Sequence, residues 1–196
     1  TGQWFGLLGQ DGRGWTSQVL GFWNPSLNFS DDIVADDFNG DGRTDIAGRS
    51  EANVWYVATA NTDTIGFTTS VLGVWGATTW SSTTIGDFNG DGQADILARA
   101  ANGQWWGLVS DGTANLRSNT LVGYWSPNVV WTGIIAGDAD GDGRDELLGR
   151  RSTSEELARG ALWVANVTEG LMRATRWGFQ GVATTVEARD LFFARF

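Results

Sequence analysis

The chain has 196 residues, 41 % hydrophobic and 18 % charged, so it carries enough apolar surface to fold around a core. A formal charge of −10 disfavours nucleic acid, and no apolar run is long enough to enter a membrane. Cysteine and histidine are both absent, which excludes a disulfide framework, a thiol nucleophile, a Ser–His triad and a His-ligated zinc site.

The first elements are two β-type segments, residues 3–8 and 17–23. An Asp/Asn/Gly loop, DFNGDGRTD, follows at 37–45; it returns as DFNGDGQAD at 87–95 and as DADGDGRDE at 138–146. The loop starts lie 50 and 51 residues apart. Between loops the middle copy reads as four strands, 83–88, 95–99, 104–110 and 119–125, separated by turn residues. A period near 50 built from short strands predicts a propeller-like array, with repeats at about 2–50, 51–100, 101–151 and 152–196 in a single domain. The fourth repeat lacks the loop and carries a seven-residue excess around 152–158, where SEELAR predicts a short helical turn. Residues 184–189 and 190–196 read as its first and second strands. With 3–8 and 17–23 they would complete one blade from both ends and close a four-bladed ring. A half-ring that pairs with a second chain, giving eight blades, and a piece of a longer array cut in this phase are the alternatives.

Each loop offers oxygen at alternate positions, as a hard cation with six to eight oxygen ligands requires. In the first loop these are Asp37, Asn39, Asp41, Asp45 and the Arg43 carbonyl. In the second they are Asp87, Asn89, Asp91, Asp95 and the Gln93 carbonyl. In the third they are Asp138, Asp140, Asp142, Glu146 and the Arg144 carbonyl. Paired glycines permit the tight coil that turns these groups inward. An EF-hand would need Glu at position 12, where Gly48, Ala98 and Gly149 stand. One such segment would read as a polar hairpin turn; three in phase predict three calcium sites. Asp145 adds a further charge beside the third.

Tryptophan also repeats, at 4, 55, 105 and 163 and at 23, 75, 125 and 177, and arginine repeats at 49, 99, 150 and 195. The strictly repeated indoles are expected to wedge between blades as core. Trp80, Trp131 and Trp106 depart from the pattern and, with Arg49, Arg99 and Arg150, are the candidate ligand-binding residues. Two of the remaining acidic residues, among them Asp32 and Glu51, could form a glycosidase pair, but nothing aims them at one another.

The GDFNGDGxxD loops in 50-residue β repeats resemble the FG-GAP/VCBS repeat family, over essentially the whole chain. That resemblance implies an all-β propeller of calcium-binding blades, as in integrin α-subunits, many bacterial secreted proteins and related propeller lectins. The Phe-Gly…Gly-Ala-Pro signature is missing, so an integrin-type ligand is not implied. The expected function is a non-enzymatic, secreted or cell-surface bacterial module, monomer or homodimer. Its expected ligand is a glycan bound opposite the calcium loops. A protein partner in adhesion, or a spacer role in a larger secreted protein, is the alternative.

Overall fold

Short runs of alternating polarity, cut by Gly- and Asn-rich turns, fold into fifteen strands in four antiparallel sheets among the described residues. The computed structural model describes residues 2–9, 14–113, 116–152, 162–168, 171–177 and 183–184. The chain divides into two compact units, residues 1–77 with 114–116 and residues 78–113 with 117–196.

In the first unit β1 (Gln3–Gly9) pairs with β2 (Trp15–Phe22). A four-stranded meander follows, β3 (Phe29–Asp36), β4 (Asp45–Ser50), β5 (Val54–Ala60) and β6 (Phe67–Val74). The second unit repeats it as β7 (Trp80–Gly86), β8 (Asp95–Ala100), β9 (Gln104–Leu108) and β10 (Asn119–Tyr124). Its second sheet holds β11 (Val130–Gly137), β12 (Glu146–Ser152), β13 (Leu162–Thr168), β14 (Leu171–Trp177) and the two-residue β15 (Ala183–Thr184) on the outer edge of β14. No helix among the described residues is long and apolar enough to cross a membrane.

The first strand of the middle repeat starts three residues earlier than the alternation predicts. A register shift between Ser81 and Thr84, with Ser82 at φ 56°, breaks the period and hides the strand's beginning from sequence. Of the predicted strand 184–189 only Thr184 is described, in β15 on β14; its remainder, the predicted strand 190–196 with Arg195, and the predicted turn over SEELAR lie outside the described residues.

Six of the repeated tryptophans are core, and Trp4 is half-buried. Trp55, Trp105 and Trp125 are fully buried, and Trp23, Trp75 and Trp163 nearly so. In the second unit Trp105 and Trp125 pack with Phe88, Leu97, Val122, Leu147 and Ala165. The glycine on the second strand makes room for such an indole. A Cβ at Gly149 would lie 2.8 Å from Trp125 Cζ3, and one at Gly48 would lie 2.5 Å from Trp23 Cζ3. Both distances are below contact, so the packing admits hydrogen only.

A backbone hook repeats with the indoles. The amides of Trp23, Trp75 and Trp125 donate to the carbonyls of Gly2, Asn53 and Gly103, at 2.8, 2.9 and 2.8 Å. These acceptors precede the third strand and take φ of 67°, 59° and 91°, a region open to glycine and tolerated by asparagine. The hook joins the fourth strand to the turn that opens the third.

Candidate metal centre

Each loop connects the first and second strands of an antiparallel meander, and all three share one hydrogen-bond frame. The glycines at positions 4 and 6 have φ of 75° and 81° in the first loop, 76° and 81° in the second, 82° and 86° in the third. That curl points successive amides at the position-1 carboxylate. Asp37 accepts from Gly40 N at 2.7 Å and Gly42 N at 2.7 Å. Asp87 accepts from Gly90 N at 2.7 Å and Gly92 N at 2.8 Å. Asp138 accepts from Gly141 N at 2.6 Å and Gly143 N at 3.1 Å. The position-3 oxygens of Asn39, Asn89 and Asp140 accept from the position-5 amides. The position-5 carboxylates of Asp41, Asp91 and Asp142 accept from the amides of Arg43, Gln93 and Arg144, each at 2.9 Å.

The position-9 acids hold the loop to the rest of its sheet. Asp45, Asp95 and Glu146 are fully buried. One oxygen of each accepts the position-2 amide, of Phe38 at 3.0 Å, Phe88 at 3.1 Å and Ala139 at 2.8 Å. The other reaches past the second strand. Asp45 takes Ala60 N at 2.8 Å, Asp95 takes Ser110 N at 2.7 Å, and Glu146 takes Asn166 Nδ2 at 3.1 Å.

Burial pushes all three of these carboxyls above their ordinary values, Asp95 to about 7. The other acids of the same loop push each in the same direction: Asp41 and Asp37 act on Asp45, Asp91 on Asp95, and Asp140, Asp142 and Asp138 on Glu146. Asp91 moves the other way. Burial raises it, but hydrogen bonds from Ser110, Gln93 and Asn89 outweigh that and hold it below the usual range.

A buried carboxylate crowded by like charges is what a divalent cation relieves. The donors are all oxygen, as calcium prefers. In the third loop carboxylate oxygens of Asp138, Asp140 and Glu146 lie within 4.8 Å of one another, a spacing that one ion can bridge. Among the described residues this is the one such triple; in the first two loops position 3 is Asn, and its amide donates to the position-5 carboxylate at 3.2 and 3.1 Å. The residues therefore fit a hard cation, most directly at the third loop.

Several participants carry no repeat signal in the sequence. Asp145 accepts from Asp87 N through Oδ2 at 2.8 Å, and its own amide donates to Asp87 O at 2.8 Å, so it ties the third loop to the start of the second. Ser110 donates its hydroxyl to Asp91. Arg117, 7 % exposed, brings Nη1 to 3.7 Å from Asp95 Oδ1.

The six candidate ligand residues are spread over three sheets. Trp131 lies within an aromatic row, 4.3 Å from Trp125 and 5.9 Å from Trp163 between ring centroids. Trp80 and Trp106 are half-buried, and Trp106 Nε1 donates to Gln104 Oε1 at 3.4 Å. Arg49 faces Trp55 across the β4–β5 pair and is held by Asp32 and by Asn53 Oδ1 at 2.7 Å. Arg99 faces Trp105 in the same way and donates to the carbonyls of Trp125 and Ser126 at 3.1 and 2.9 Å. Burial lowers its pKa. Arg150 is exposed and stands opposite Leu162, one residue out of step with Trp163. In the first unit a polar cleft of about 570 Å³ borders the first loop, lined by Asn39, Asp41, Asn61, Asp63 and neighbouring threonines.

The family model described as FG-GAP-like repeat matches the chain twice, over residues 37–98 and 87–149. No curated protein and no solved structure matches the chain.

Proposed function

Since the chain belongs to the FG-GAP-like repeat family, with more than half its length matched, we propose that it is a non-enzymatic, calcium-binding propeller module whose task is to bind a ligand. The observation that carries this reading is the shared frame of the three loops, above all the fully buried acids Asp45, Asp95 and Glu146. Calcium would be held by the loop oxygens of Asp37, Asn39, Asp41, Asp87, Asn89, Asp91, Asp138, Asp140 and Asp142, the position-9 acids and the carbonyls of Arg43, Gln93 and Arg144. It would supply charge neutralisation at turns that otherwise concentrate negative charge. The repeats form one four-bladed ring in this reading, with residues 185–196 completing the blade that β1 and β2 begin. The exposed side of that pair, Phe5, Leu7, Val19 and Trp15, supports it, because apolar residues so placed call for a cover.

The ligand is a glycan, bound away from the calcium loops by indoles and guanidinium groups. Half-buried Trp80 and Trp106 keep ring surface available for stacking on a sugar, and Arg99 is held in the same sheet by the carbonyls of Trp125 and Ser126. Absence of histidine and cysteine supports a binding role over catalysis. The module is extracellular in this reading, where calcium is abundant. A glycan array probed with calcium tests it: binding that Trp80→Ala or Trp106→Ala abolishes is expected. Binding to no glycan, with capture of a protein partner instead, would replace it by the adhesion reading.

A further inference from the structure

The first and second loops have the same predicted ligand set, Asp, Asn, Asp and Asp at positions 1, 3, 5 and 9. Their surroundings differ in one large respect. The connection between β9 and β10 sends Arg117 under the second loop, where its side chain is 3 % exposed. Nη1 lies 3.7 Å from Asp95 Oδ1 and donates to the carbonyls of Ala94 and Leu108; Nη2 donates to Gln93 Oε1 at 3.4 Å. Its charge also acts on Asp91 and Asp111. In the first loop the corresponding oxygen, Asp45 Oδ1, takes the neutral Ala60 amide. The cation paired with a ligand carboxylate there, Arg43, sits 3.7 Å from Asp41 with its side chain 39 % exposed, against 3 % for Arg117.

We infer that Arg117 is an internal counter-cation of the second loop, which makes that loop bind calcium more weakly than the first despite their common ligands. This rests on the calcium reading above. A buried positive charge beside a ligand carboxylate repels an incoming divalent ion through a medium that screens poorly. It also supplies part of the neutralisation that the ion would bring. The expected penalty is roughly tenfold in affinity.

Calcium chloride titration of the full chain followed by amide NMR tests this, because Gly42 and Gly92 occupy equivalent positions and each donates to its own position-1 carboxylate. The Gly42 signal is expected to reach its midpoint at about tenfold lower calcium than Gly92. Arg117→Gln should close that gap to within about threefold, and Arg117→Lys should keep it. Equal midpoints in the unaltered chain, or a gap that survives Arg117→Gln in a folded variant, would overturn the role of Arg117 while leaving calcium binding intact. The comparison within the unaltered chain stands even if Arg117→Gln does not fold. If neither these two signals nor Gly143 responds to calcium, the calcium reading itself falls, and this inference with it.

Discussion

The first and second loops agree at seven of nine residues, adopt φ values within a degree of one another at both glycines, and hang from the same buried acid. They differ in what meets the far side of that acid. Asp45 meets a main-chain amide only; Asp95 meets an amide and a buried guanidinium. A loop motif therefore specifies the coil and its oxygens, while a residue from another connection sets the charge in which they sit.

The largest effect expected from this difference is on stability. Asp95→Ala leaves Arg117 buried without its partner carboxylate and frees two amides, which should cost about 3–5 kcal/mol. Asp45→Ala frees two amides only and should cost about 2–3 kcal/mol. Urea unfolding of both variants in chelator measures the gap, and equal costs would break the comparison.

A smaller effect should appear at the glycine shared by the first and third repeats. Gly48→Ala and Gly149→Ala each push a methyl into an indole and should lose about 1–3 kcal/mol, with calcium present or absent. A loss confined to the chelated protein would mean that this packing depends on the metal.

Acidity offers a third test. Asp45, Asp95 and Glu146 have folded pKa values above their unfolded ones, so the folded state keeps protons that the unfolded state has released. In chelator, stability should fall as pH rises from about 4 towards 7, most of it through Asp95, and Asp95→Asn should flatten the slope. Melting temperature against pH reads it; a rise over that range would contradict the burial assigned to these acids.

The smallest effect belongs to Arg43. Its ion pair with Asp41 spans 3.7 Å at a partly exposed site, and Arg43→Ala should change stability by less than about 0.5 kcal/mol. A larger loss would erase the distinction between a partly exposed side chain on the first loop and a buried one under the second.

Much of this fold is readable in the chain because repetition amplifies weak local signals. The three loops, the strands that flank them and the buried tryptophans all recur at one spacing. The start of β7 is hidden because a bulge at Ser82 interrupts the alternation that marks a strand. Arg117 is hidden for a different reason. It lies in a connection between third and fourth strands whose counterpart between β5 and β6 has no basic residue, and a lone arginine in such a connection reads as solvated. Only the fold brings it under Asp95. Asp145 is visible as an extra charge, but its bonds to Asp87 depend on how one sheet lies against the next within the second unit. Trp131 stands outside the repeat in sequence, yet it joins the aromatic row of Trp125 and Trp163 in space.

Thermal unfolding of the full chain in calcium and then in chelator tests the central claim most directly. Three sites near saturation should raise the melting temperature by at least about 5 °C over the chelated protein. Superimposable melts in calcium and chelator would contradict the claim that these loops are calcium sites that hold the fold.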